Sequence, residues 1–317
     1  MMKKLALLPA LAGALLTAAL LAAAQPAQAT FPGANGRIAF GSDRYGGTHN
    51  IFTMNADGSD VRQLTFVTAE EGAALDQNWS PDGRQLAYNR RNADFSVRQI
   101  FVMNADGSDQ HLLVDDPSYV DIYPRFSPDG SSVIFSRCRP DFEACAIYTV
   151  KTDGHALTPI THLADNLRNN VLDFRPGYSP DGSRIAFWSL NRGGVLSALY
   201  VMNPHGSNVR QITPSGLEAF EWDWAPDGAK LVFASPCCTP QPSAIWTMSP
   251  DGSALTQLTF GGTNSDQEPS YSPQGDKIAF TRNPTGQSGS IVTMNTDGSG
   301  QATIQPDAFY PRWGPAG

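Results

Sequence analysis

Asp121-Ile122-Tyr123-Pro124-Arg125-Phe126-Ser127-Pro128-Asp129-Gly130, followed by Val133-Ile134-Phe135, is one copy of a pattern that runs through this 317-residue chain. The pattern is an aromatic, Ser-Pro-Asp-Gly, an apolar triplet, a variable loop, an apolar run, Asn-x-Asp-Gly-Ser and a Gln-Leu-Thr-like end. Its first half recurs at Trp79-Ser80-Pro81-Asp82-Gly83, Tyr178-Ser179-Pro180-Asp181-Gly182, Trp224-Ala225-Pro226-Asp227-Gly228 and Tyr271-Ser272-Pro273-Gln274-Gly275. Its second half places a turn glycine at Gly58, Gly107, Gly154, Gly206, Gly252 and Gly298, with spacings of 49, 47, 52, 46 and 46 residues. A unit of that length suits four short strands.

The triplets Ile38-Ala39-Phe40, Leu86-Ala87-Tyr88, Val133-Ile134-Phe135, Ile185-Ala186-Phe187, Leu231-Val232-Phe233 and Ile278-Ala279-Phe280 are β-prone and apolar at successive positions. Such runs belong to strands buried on both faces. Pro-Asp-Gly and Asn-Ala-Asp-Gly supply the turns, proline fixing φ and glycine taking positive φ. Five first halves stand against six second halves, and the missing one lies at the far end, in Tyr310-Pro311-Arg312-Trp313-Gly314-Pro315. The expected fold is therefore all-β: a six-bladed β-propeller of four-stranded blades, in which residues 307–314 supply the innermost strand of the N-terminal blade.

These copies resemble the WD-like propeller repeat of the TolB-type family, with Asp-x-x-Pro-x-aromatic-Ser-Pro-Asp-Gly best matched at Asp121 to Gly130 and Asp173 to Gly182. Asp266 to Gly275 departs from it at Gln274. The resemblance spans residues 30–317 and implies the fold; one propeller supports many activities, so it implies no particular chemistry. Neither the α/β domain that precedes the propeller in TolB nor the hydrolase domain of prolyl-oligopeptidase-like enzymes is legible here, so neither function carries over.

Residues 1–29 read as a secretory signal, with Lys3 and Lys4, the apolar run Leu5 to Ala24 and the small-x-small site Ala27-Gln28-Ala29. Retention as a membrane anchor is the competing reading, because the run is about 20 residues long. Cleavage would move the formal charge from -8 to -10. That argues against nucleic acid and anionic membrane surfaces as partners, and no later stretch of 18 apolar residues offers a membrane span after cleavage. A periplasmic or secreted monomer is expected.

The sequence holds no Gly-x-Ser-x-Gly elbow, no His-Glu-x-x-His and no phosphate-binding glycine loop. Asn55-Ala56-Asp57-Gly58-Ser59-Asp60 looks like half a calcium loop but lacks the further ligands, so it reads as a hairpin turn. The inner-strand aromatics recur once per repeat and read as packing. Asp121, Asp173 and Asp266 each stand five residues before such an aromatic, with Asp76, Glu221, Glu268 and Asp307 nearby. If inner strands converge on an axis, Asp121, Asp173, Glu221, Asp266 and Glu268 crowd one channel mouth. Capping of local amides competes with an oxygen-only cation site, for which calcium fits better than zinc. The varied loops expose Tyr45, His49, Phe95, Phe142, His162 and Trp188 as ligand-binding candidates.

Export permits disulfides. Cys138 and Cys145 flank one hairpin loop, where a bond would staple two strands, whereas adjacent Cys237 and Cys238 allow either a strained vicinal disulfide or an unpaired pair. The functional expectation is a non-catalytic binding scaffold that engages a protein, a peptide or a cell-envelope polysaccharide on its long-loop face. The alternative is a hydrolase or lyase with a metal or acid/base site at the channel mouth.

Overall fold

The apolar triplets lie at the centre of the molecule. In the computed structural model, which describes residues 31–214, 216–236, 242–260 and 262–317, their side chains are at most 1% exposed. The expected signal segment and the Cys237/Cys238 pair lie outside the described residues.

Each repeat is an antiparallel meander. Four sheets have four strands; one has eight, in which residues 120–159 and 172–211 are joined by a single parallel bridge between Cys145 and Leu172. The C-terminal strand Phe309–Pro315 pairs with Asn35–Ser42, matching Trp313 to Ile38 and Arg312 to Ala39. Because every sheet is apolar on both faces, the cores lie between sheets. Ala87, Ile100 and Val102 pack on Phe126, Val133 and Phe135, and Ala186, Leu199 and Val201 pack on Trp222, Leu231 and Phe233. At the chain ends Ile38 and Phe40 pack on Ala279 and Ile291.

The inner-strand aromatics distribute themselves one per cluster: Trp79, Phe126, Tyr178, Trp224, Tyr271 and Trp313 each belong to a different inter-sheet core. Trp79 also donates its indole N–H to the Arg312 carbonyl at 3.1 Å. That approach requires Gly314, because a Cβ there would lie 2.6 Å from the Trp79 ring.

The turn motifs use their polar atoms locally. Ser80 Oγ donates to Asp82 Oδ1 at 2.6 Å, and the Arg84 amide donates to the same oxygen at 3.1 Å. In the other turn, the Ser59 amide and hydroxyl both donate to Asp57 Oδ1, at 2.9 and 2.6 Å, and Gly58 takes φ +86°. The aspartates of both motifs are thus committed to hairpin turns. Cys138 and Cys145 face each other across the hairpin, and their sulfurs are bonded.

Removing residues 309–317 takes a strand from the first sheet and exposes two edges. The truncated protein should melt on the order of 10 °C lower and self-associate. Differential scanning calorimetry with size-exclusion chromatography checks this, and an unchanged monomer would show that the terminal strand is dispensable.

Candidate functional site

Where the inner strands meet their second strands, the register slips at the same point in each repeat: between Leu75 and Asn78, Ile122 and Arg125, Phe174 and Gly177, Phe220 and Trp222, Gln267 and Ser270, and Ala39 and Gly41. The residue three before the aromatic takes a left-handed backbone there. These residues are Asp76, Tyr123, Arg175, Glu221, Glu268 and Tyr310, with φ between 48° and 58°. A bulge of this kind re-aims a side chain, and six non-glycine residues in that conformation are individually unfavourable.

The six side chains form one polar cluster. Arg175 lies 3.5 Å from Glu221 and stacks on Tyr123, its guanidinium carbon 4.0 Å from the ring centroid. The Glu268 amide donates to Glu221 Oε2 at 3.1 Å, and Glu268 Oε2 accepts from Thr281 Oγ1 at 2.6 Å and from the Tyr310 amide at 2.7 Å. Burial, and next the like charge of Glu221, push the Glu268 carboxyl from an ordinary 4.5 up to about 8. Two residues further along lies a second tier. There Arg125 pairs with Asp223 at 3.5 Å and donates to the Trp222 carbonyl at 2.7 Å, and Arg312 donates to the Pro269 carbonyl at 3.3 Å. Gln77, fully buried beside this cavity, donates to the Tyr310 carbonyl at 2.6 Å, while its Oε1 has no partner.

The expectation that Asp121, Asp173 and Asp266 converge on the axis needs correcting. Each is buried in a separate ion pair. Arg137 grips Asp121 with Nε and Nη2, both at 2.8 Å, and Arg282 grips Asp266 at 2.7 and 2.8 Å. Asp173 accepts from Arg192 at 2.6 and 2.8 Å, and from Ser189, Asn166 and Thr161. Of the proposed calcium ligands only Glu221 and Glu268 adjoin, and among the described residues no group of three or more His, Cys, Asp or Glu is placed to hold a metal ion. Asp307 is exposed, and only its backbone carbonyl reaches Ser42 and Arg44. The sequence reading did not place Tyr123, Asp223, Tyr310 and Arg312 in the site. The missed signal is positional: each residue of the cluster's first tier stands three before the repeat's aromatic, within the bulge itself.

The loop candidates do not form one platform. Tyr45 is exposed against Phe52, and His49 lies 4.5 Å from the Phe309 ring, where burial lowers its pKa. His162 is exposed at the start of the short helix Leu163–Arg168. Trp188 lies tilted against Phe174, which meets Tyr123 of the polar cluster edge-on. Phe95 and Phe142 are brought together by Arg98, whose guanidinium carbon is 5.9 and 5.6 Å from their ring centroids.

Two outcomes follow from this geometry. Asp121→Ala leaves Arg137 buried without its main partner and should cost about 3 kcal/mol in urea unfolding, while melts with millimolar calcium and with chelator should coincide. A calcium-dependent melt lost in the variant would restore the cation reading. For Glu268 the fold favours the protonated form, so its stabilisation is complete below about pH 4.5 and disappears as pH rises through about 8. Glu268→Gln should therefore flatten that part of the pH–stability curve and raise the melting temperature at pH 8; parallel curves would contradict the assignment.

Comparisons with known proteins agree with the geometry at the level of fold. A TolB structure from Acinetobacter baumannii superimposes with a TM-score of 0.71 at 21% identity, over 88% of this chain and 67% of that one. A TolB-type chain from Agrobacterium tumefaciens gives 0.67 at 21% identity, over 90% of this chain and all of that one. An oligogalacturonate lyase from Vibrio parahaemolyticus gives 0.57 at 13% identity, over 87% of this chain and 77% of that one. No curated protein matches the sequence. The family model described as TolB beta propeller domain matches residues 17–173 and 168–317, and the chain belongs to that family.

Proposed function

We propose that this chain is an exported binding scaffold: a six-bladed ring closed by its C-terminal strand, which engages a protein, a peptide or an envelope polymer where the inner strands begin. The two ends of the molecule support this reading in opposite ways. One end carries the same Pro-Asp-Gly and Asn-x-Asp-Gly turns in repeat after repeat, with their polar atoms satisfied internally. The other carries loops 43–49, 92–97, 139–144 and 191–196, which differ in sequence from repeat to repeat. Diversity at one end on an invariant frame is what a recognition surface requires. Among the described residues no helix is long and apolar enough to cross a membrane.

Glu268, held near neutrality beside Tyr310, is the one feature that favours the hydrolase or lyase alternative. It is buried and already engaged by Thr281 and Tyr310, which places the scaffold reading first.

Incubated with an envelope fraction, the purified protein should retain a defined partner, and Glu221→Gln/Arg175→Gln should reduce that retention. Equal retention by the variant would move the site elsewhere. Release of soluble fragments from envelope polysaccharide, lost in Glu268→Gln, would instead favour the enzyme.

A further inference from the structure

The place five residues before the repeat's aromatic holds aspartate in three repeats (Asp121, Asp173 and Asp266) and alanine in the other three (Ala74, Ala219 and Ala308), and of the alanine repeats the second alone sets an arginine in the facing register. In the third and sixth repeats, Asp121 stands in register with Arg137 and Asp266 with Arg282, and each pair is doubly hydrogen-bonded. At the equivalent place in the second repeat, fully buried Ala74 stands in register with Arg90. One residue further along, on the two middle strands of that sheet, Arg91 stands opposite Arg98. Among the described residues neither Arg91 nor Arg98 forms a direct ion pair, and the Arg98 Nε is buried without an acceptor; the buried Asp76 carboxyl lies within electrostatic reach of both, but Arg175 and Arg312 act on it more strongly than Arg98 does.

Both guanidiniums are held in place by rings instead. The Arg91 guanidinium carbon lies 3.6 Å from the Phe95 centroid, and Arg98 sits between Phe95 and Phe142. Phe95 and Phe142 occupy the tips of loops 92–97 and 139–144 with φ of +65° and +57°, and the Cys138–Cys145 bond closes the second loop. Bulky residues rarely adopt that backbone, so both tips are constrained to present aromatic side chains to the arginines. Guanidiniums stacked on rings keep their in-plane N–H groups free for a planar acceptor.

We propose that Arg91 and Arg98 form a binding site for the carboxylate side chains of an acidic polypeptide segment. Bidentate arginine–carboxylate pairing supplies the recognition, as Arg137 and Arg282 supply it internally. A stacked sugar is the weaker fit, because Arg91 already covers Phe95 at contact distance. The chain's own net charge of -8 opposes indiscriminate uptake of acidic peptides, so binding must come from this local site. The inference rests on the reading of this end as the binding face and names the chemistry of its ligand.

Fluorescence anisotropy of the full chain with a labelled glutamate-rich octapeptide, its glutamine isostere and a polyuronate oligomer tests this. The acidic peptide should bind and the isostere should not, and Arg91→Gln and Arg98→Gln should each weaken binding about tenfold or more. Arg84→Gln, at the opposite end, should have no effect. Melting temperatures of the variants separate loss of the site from loss of the fold, and Arg98→Lys, which keeps the charge without the fork, should recover only part of the affinity. Equal binding of the isostere, unchanged binding by folded Arg98→Gln, or tighter binding of the polyuronate would each overturn the proposal. Retention of an envelope partner without any binding of the acidic peptide would overturn this inference alone and leave the binding face intact.

Discussion

Each sheet in this protein is apolar on both faces, so it is stable only with another sheet on either side. Residues 38–40 and 278–280 make that requirement concrete, because the first and last repeats must bury their triplets as thoroughly as the middle ones do. The C-terminal strand meets the requirement: it pairs with Asn35–Ser42, places Trp313 in the core between the terminal repeats, and offers the Arg312 carbonyl to Trp79. Stability and chain order are therefore linked, since the last residues complete the sheet that the first ones begin.

The same arrangement creates the polar interior. Inner strands lie beside one another, and backbone groups freed at their bulges would be costly without polar neighbours. The bulges project Asp76, Tyr123, Arg175, Glu221, Glu268 and Tyr310 into one cluster of mixed charge. Burial raises the Asp76 and Glu268 carboxyls above the ordinary carboxylate range, the charge of Glu221 adds to the rise, and Arg175 opposes it at both. In three repeats an aspartate of the inner strand is paired: Asp121 with Arg137 and Asp266 with Arg282 join inner to second strands, and Asp173 with Arg192 ties the inner strand to the loop that follows the second. A buried pair of this kind contributes more to specifying register than to stability, because desolvation offsets much of its attraction.

The second repeat then stands out by contrast. Ala74 fills the place at which three repeats spend an aspartate on an arginine, as Ala219 and Ala308 do in the fifth and first repeats, and what sets the second repeat apart is Arg91 opposite Arg98 beside two loop phenylalanines. Departure from an internal repeat is a physical signal: the other repeats show what the frame needs, and the excess is available for a ligand.

The strands, the turns, the one-per-repeat aromatics and the hairpin cysteines were legible in the sequence because each depends on local chemistry: β-prone triplets, Asp-Gly turns, and two cysteines placed opposite each other by a short loop. Which carboxylates reach the axis was not legible. Side chains alternate along a strand, and one inserted residue reverses every assignment beyond it. Asp121 and Asp266 looked axial when counted from the aromatic, but the bulge lies between them and that aromatic, so they turn toward Arg137 and Arg282 while Tyr123 and Glu268 enter the shared polar cluster. The grouping of Phe95, Phe142 and Arg98 was likewise decided only by tertiary structure, because it joins neighbouring repeats through packing that no single repeat encodes.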